Sequence, residues 1–514
     1  MLRLVFLALL LSVVSIVSAQ NWVWSQHLGG AISNHPPSTI VANAFTSTGE
    51  LVVSGYNTTE FDCADTVGGF YSRHDFSGNC NLYQIVSGQP KDVQVDYQDN
   101  LLLISNDNEG MVLAKYNTSN QLVWQTSIAE AYANGLAVDT EGNSFVIATL
   151  DSGCAIAPCL NPVSGEYSAI LKFNSNGDCL SADTVTERVI YNSVCTDSAG
   201  NAYVTGAFSE TVSLGMFNLT SVGGSDVLVA KFNSAGNCVW AKRGGGPAPN
   251  FPNQFTTEQG NDIAFNHSDG LYVTGVASDS ADFGNELLTG SGSSNLLLVK
   301  YDLDGNELWA KNYFGGPDQM GLSVTSDLFG NVFLTSAFVW NINLDGIQID
   351  GYNHFDVLVS RHDSNGNATW VQKAGSTVWN DYATDISVQN GSIAVSGKCE
   401  RDAIFGLDTL FSSGLQNFVA LISDQTSITD EARAQGAVVY PNPTTGLIML
   451  KNPTLQEMEV RILNTLGEQV SQVYSLENPI RLDLSEHPSG IYFIQLVNTN
   501  GTVLPTQKLI LQKH

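Results

Sequence analysis

Three aspartates in this 514-residue chain, Asp92, Asp262 and Asp385, each begin an apolar alternating run. Carboxylates gathered from distant segments do one of two things. They surround a hard cation such as Ca2+, which takes several oxygen ligands, or they accept backbone N–H groups from a neighbouring segment. Buried carboxylates are normally paired with backbone donors, which favours the second. Aromatic residues form another set: Phe251, Phe255, Phe314, Trp340, Trp379 and Tyr382 lie in long irregular connections. Such rings line a groove for a sugar or peptide, or they cover sheet edges, and scattered apolar surface favours covering. The segment YDLDGNELW (301–309) starts like a calcium loop, but the remaining ligands and the Glu at position twelve are missing, so it reads as a turn. His35, His267 and His354 stand alone. No H-E-x-x-H is present, and no G-x-S-x-G serves as a strand-to-helix nucleophile turn.

Bulk composition excludes some partners. The formal net charge is −29 with only 21 Lys and Arg. Such a surface repels phosphate backbones and anionic lipid, so nucleic acid is not expected as a partner. Residues 1–19, MLRLVFLALLLSVVSIVSA, have the basic, apolar and small-residue regions of a secretory signal peptide. No later segment is long and apolar enough to span a membrane, so none is expected in the mature chain. Eight cysteines in an exported chain point to disulfides, and Cys154 and Cys159 are spaced to close a small loop.

These residues must be positioned by a repeat. One anchor is a basic residue that closes an apolar run, followed by an Asn or Asp turn: RHDFSGN (73–79), KYNTSNQ (115–121), KFNSNGD (172–178), KFNSAGN (231–237), KYDLDGN (300–306) and RHDSNGN (361–367), with a degenerate ISDQTSI (422–428). Trp stands nine residues after the basic residue at Trp124, Trp240, Trp309 and Trp370, and His74 and His362 fill a position otherwise held by Phe or Tyr. A second anchor precedes each copy, as in VCTDSAGNAYVTG (194–206) and IAFNHSDGLYVTG (263–275). Period-two alternation and turns with a leading Asp or Asn and a trailing Gly give two hairpins, strands A to D, per unit. Seven such units without a helical pattern predict an all-β chain with a seven-bladed β-propeller.

The seventh unit lacks strand D, while NWVWSQHL (21–28) is a strand D with nothing before it. The N-terminal strand therefore closes the last blade. The expected organisation is a signal peptide (1–19), a propeller (20–425), a linker (426–436) and a small C-terminal β-sandwich (437–514). In a propeller, the B–C and D–A connections share one face. Here they are the long ones, so function is expected on that face.

Two family resemblances follow from these residues. The propeller repeat, clearest at 194–241 and 263–310, resembles the bacterial seven-bladed β-propeller repeat of exported surface proteins, which implies the fold and no particular reaction. DSNGNATW (363–370) departs from the Asp box of sialidase propellers, because Gly366 stands four residues before Trp370 rather than three. The tail resembles the type IX secretion C-terminal sorting domain through Pro441, Asn442, Pro443 and Gly446, then Gly490 and Tyr492, then Lys508 and Lys513. That resemblance implies export through the periplasm of a Gram-negative bacterium by the type IX machinery, to the outer surface or the medium. The leading expectation is a non-enzymatic binding, adhesion or scaffold module whose partner is a surface glycan or a protein. The alternative is a glycan-active hydrolase or lyase with its site on the long-loop face.

Overall fold

The computed structural model describes residues 21–30, 39–57, 68–247, 258–424 and 438–511, apart from short interior stretches. The signal segment, the linker, Phe251, Phe255, Pro441, Asn442, Pro443 and Lys513 lie outside the described residues. The described residues form strands and no helix.

Up to residue 424, the strands form sheets of four antiparallel strands joined in chain order. Sheet I is Thr39–Phe45, Leu51–Asn57, Gly68–His74 and Cys80–Val86. Sheets II, III and IV begin at Gln89–Val95, Ala131–Val138 and Val189–Thr196. Sheets V, VI and VII begin at Gln259–Asn266, Gln319–Ser326 and Tyr382–Gln389. The first strands touch in cyclic order, I to VII and back to I. Four-stranded sheets radiating from touching first strands are a β-propeller. The outer strand of sheet VII is Asn21–Gly30, antiparallel to Leu415–Ser423.

The repeat residues lock each sheet to the next. In a typical turn, Asp197 Oδ1 accepts the N–H groups of Ala199 and Asn201, both at 2.9 Å, and Gly200 takes φ +74°. The strand D tryptophans donate Nε1–H to a turn of the following sheet. Trp124 bonds Ser175 O (2.8 Å), Trp240 bonds Leu303 O (3.1 Å) and Trp309 bonds Ser364 O (3.3 Å). Trp24 does the same to Phe76 O at 2.8 Å, across the closure from sheet VII to sheet I. The turn glycine is fixed twice over. Gly78, Gly177, Gly305 and Gly366 have φ between +78° and +85°, and a Cβ on any of them would fall within 3 Å of the preceding sheet's Trp. The basic anchors act likewise: Lys172 Nζ donates to Ser234 O (2.8 Å) while standing 4.9 Å over the Phe145 ring. Register corrects the seventh anchor by one residue. Leu421 pairs with Ala394 as Lys231 pairs with Tyr203, so Leu421, not Ile422, holds the anchor position. His74 and His362 are fully buried, each bonded to a serine hydroxyl at 2.9 Å.

Several long connections are not loops. Asn341–Leu344 and Ile347–Asp350, inserted between strands B and C of sheet VI, form a hairpin that extends the outer edge of sheet V. Ala403–Phe405 and Asp408–Leu410, inserted in sheet VII, extend sheet VI. Thr211–Leu214 and Phe217–Thr220, inserted in sheet IV, form a separate hairpin whose first strand packs on the outer strand of sheet III, Cys179–Thr186, and whose second packs on Cys238–Gly244 of sheet IV. Each hairpin covers the preceding sheet's open edge. Each follows a residue with left-handed backbone: Glu210 (φ 57°), Trp340 (70°) and Arg401 (60°).

Cysteine pairing differs from the expected small loop. Cys159 bonds Cys179 in the outer strand of sheet III. Cys154 is instead a buried free thiol in an apolar cluster with Ile128, Ile156 and Phe173, because its side chain packs inward as a small hydrophobe. Cys80 is also disulfide-bonded, while Cys195, Cys238 and Cys399 are free.

The tail forms a three-stranded and a four-stranded antiparallel sheet. Ile448, Leu450, Ile480 and Leu482 from the first share one buried cluster with Val460, Ile462, Ile494 and Leu509 from the second.

Candidate functional site

Each first strand carries a bulge, and the residue after it faces the axis. The residues after the bulges are Ala42, Asp92, Gly135, Ser193, Asp262, Ser323 and Asp385. Together they line an axial cavity of about 190 Å3. The three predicted aspartates therefore meet, but not as a cation cage. Asp92 accepts Leu136 N–H of sheet III at 2.8 Å, Asp262 accepts Val324 N–H of sheet VI at 2.7 Å, and Asp385 accepts Asn43 N–H of sheet I at 2.6 Å. Each also accepts the N–H of its own following residue. The bulged asparagines cooperate, with Asn192 Nδ2 on Gly260 O (2.8 Å) and Asn261 Nδ2 on Gly321 O (2.6 Å). The polar lining thus ties one first strand to the next. Among the described residues, no group of three or more His, Cys, Asp or Glu is placed to hold a metal.

Enclosure also shifts these carboxyls. Asp92 exposes part of its surface to the cavity, yet protein surrounds it elsewhere, and this desolvation, helped by the Asp262 charge, raises its pKa to about 7. Burial likewise raises Asp262, and raises Asp385 well above the ordinary carboxylate value. Ser323 Oγ lies 2.7 Å from Asp262 Oδ2 and 3.1 Å from Asp385 Oδ1, and its single proton serves only one of them. A proton on Asp385 completes the second bond. Because the folded state raises the Asp92 pKa, its contribution to stability is full below about pH 4 and is lost as pH rises toward about 7. Asp92→Asn keeps an acceptor oxygen and removes the charge. It is expected to flatten the loss of stability between pH 5 and pH 8, by an amount on the order of 2 kcal/mol, read from melting curves. Parallel pH–melting curves for variant and wild type would refute this role.

The second site lies on the face shared by the B–C and D–A connections of sheets VI and VII. Trp340, at the base of the edge hairpin, is 54% exposed and donates its N–H to Tyr352 O at 2.8 Å. Lys373 Nζ stands 4.5 Å over the Tyr352 ring. The neighbouring Phe355 packs on Tyr382 at 5.3 Å, and Lys398 stands 5.6 Å over Tyr382. Trp379 is 41% exposed beneath the Arg401 guanidinium, which is 5.4 Å from its ring. The predicted Trp340, Trp379 and Tyr382 thus fall in one strip, while Phe314 pairs with Asn343 where the hairpin extends sheet V. Residue spacing missed Tyr352, Lys373, Lys398 and Arg401. The structure supplies these cation–ring pairs by bringing separate segments together.

Two carboxylates lie under the strip. Asp381 accepts Ser376 N–H (2.6 Å) and Glu400 N–H (2.8 Å), pinning the Trp379 connection to sheet VII, and Asp356 accepts Tyr352 N–H at 2.8 Å. Burial raises both to about 6. They are 1% and 0% exposed, so neither meets a ligand on the strip.

In the tail, Gly446 O accepts Leu484 N–H at 2.8 Å, and a Cβ on Gly446 would lie 2.9 Å from Ser485 Cα. Tyr492 is buried and its hydroxyl donates to Pro488 O at 2.7 Å. Gly490 and Lys508 fall in the paired strands Gly490–Asn498 and Gln507–Leu511. Residues 438–512 match the family described as the secretion system C-terminal sorting domain. The tail is a type IX sorting domain. The sorting domain supports export of this chain and a secreted or cell-surface location. Its Gly446 and Tyr492 hold its own fold together.

A comparison with curated proteins finds no match. Among solved structures the chain is similar to the Dos1 propeller, at 11% identity and a TM-score of 0.42, covering 79% of this chain and 95% of that one. It is similar to BamB from Moraxella catarrhalis at 10% identity and a TM-score of 0.35, covering 80% and 99%. It is also similar to the polysaccharide lyase Uly1 at 9% identity and a TM-score of 0.40, covering 77% and 91%.

Proposed function

We propose that this chain is an exported binding module. Its closed ring acts as a seven-bladed propeller of the bacterial surface-repeat kind, sealed by the N-terminal strand after removal of the signal peptide. A C-terminal β-sandwich carries it through the type IX machinery from the periplasm of a Gram-negative bacterium. The ring engages its partner through the B–C and D–A face. The observation that carries this reading is the strip across sheets VI and VII, where Trp340 and Trp379 stand exposed and cations lie over Trp379, Tyr352 and Tyr382. Supporting it, the axial carboxylates accept backbone N–H groups and those under the strip are buried, which leaves them poorly placed for acid–base work on a substrate.

The test is to incubate the mature full-length protein with surface polysaccharides and surface proteins, measuring retention and product release together. Retention that is lost in Trp379→Ala, without new reducing ends or unsaturated products, is expected. Turnover of any glycan would overturn the binding reading in favour of a hydrolase or lyase.

A further inference from the structure

Three cations of the ring, Lys373, Lys398 and Arg401, stand over aromatic rings of this one strip. Arg73, Lys115, Arg188, Arg243, Lys311 and Arg361 are ion-paired. Lys373, Lys398 and Arg401 form no ion pair among the described residues, and each stands 4.5 to 5.6 Å over an aromatic ring of the same strip. Lys373 also donates to the Asp350 carbonyl at 2.8 Å. In a chain of net charge −29, unpaired cations gathered on one face run against the rest of the composition.

We propose that this strip binds an acidic polysaccharide, recognising uronate carboxylates along the sugar chain. The proposal rests on the reading of this face as a binding surface. A pyranose ring offers a flat face of C–H groups, which packs on the exposed Trp340 and Trp379 rings. A carboxylate accepts the remaining N–H groups of the Arg401 guanidinium or a lysine ammonium, a charge-assisted bond. The ring beneath each cation limits its freedom beforehand, so less side-chain entropy is lost on binding. Glu400 and Asp402 flank Arg401 in sequence and interrupt the positive charge. The strip therefore suits discrete carboxylates on a sugar backbone rather than a dense polyanion.

The experiment is calorimetric titration of the mature full-length protein with polygalacturonate and with its methyl ester, which keeps the sugar and removes the charge. Polygalacturonate is expected to bind in a salt-sensitive way and the ester much more weakly. The double variant K373Q/R401Q is expected to lose about tenfold in affinity. K242Q, which alters an unpaired lysine outside the strip, is expected to bind as wild type, and unchanged melting curves show that both variants fold. Equal binding of the ester, or unchanged affinity of K373Q/R401Q, overturns the acidic-glycan assignment and leaves a neutral-glycan binding face. Capture of a surface protein through Trp379, with no glycan bound, also overturns it and keeps the face. If neither glycan nor protein binds through the strip, the binding reading itself fails.

Discussion

A chain lacking residues 21–30 is expected to melt far below the intact protein, and Trp24→Ala alone to lower stability by about 3–5 kcal/mol. Trp24 is 9% exposed and packs with Leu51 and Val53 of sheet I and with Val419 and Leu421 of sheet VII. Its indole also supplies the bond to Phe76 O. Deleting the strand removes Trp22 as well, which meets Phe405 edge-on at 5.0 Å. It also leaves Leu415–Ser423 with unpaired backbone along one side. Gly78→Ala attacks the same seam from sheet I, since its new methyl would meet the Trp24 ring at 2.9 Å in a left-handed conformation. Melting by circular dichroism checks all three. A synthetic peptide of residues 21–30 should restore part of the lost stability to the truncated chain. An unchanged melting temperature on deletion would show that the seam carries no weight.

Removing residues 437–514 is expected to abolish delivery while leaving the ring folded. The sorting domain has its own apolar core of residues from 448 to 511, and that cluster draws on no ring residue. Its loss therefore takes away the export address rather than ring stability. Fractionation of the producing cell, followed by immunoblotting, should find the truncated protein in the periplasm and none outside. Grafting the same residues onto an unrelated periplasmic passenger should carry that passenger out. Normal appearance of the truncated chain at the surface would refute the assignment.

Much of the ring was legible because its signals are local and repeat. A tryptophan nine residues beyond a basic anchor, and a glycine in the next turn, are short-range features. The structure shows that they touch across four seams, as at Gly305 on Trp240 and Gly366 on Trp309, while Trp370 donates instead to the Asp424 carboxylate. The closing strand was legible for the same reason. The edge hairpins were missed although their signal was there. NINLDGIQID (341–350) alternates at period two around Asp345 and Gly346, whose φ values are 51° and 97°. Its place inside a connection hid it, since it pairs with sheet V rather than with its own sheet. The three aspartates line one cavity, and their bonds go to N–H groups of other sheets, such as Leu136 and Asn43, that no spacing reveals. Cys154 was misread because spacing to Cys159 says nothing about which way a thiol faces.

The pairing of Asn21 with Ser423 has a consequence for how the protein is made. The strand synthesised first has no partner until the strand synthesised last in the ring emerges, so the circle stays open through nearly all of translation. The sorting domain comes later still. A copy cut short by early termination or by proteolysis before Ser423 thus lacks both its clasp and its address. In this order the residues that close the ring precede those of the sorting domain, so a chain that reaches the sorting domain already carries both halves of its clasp.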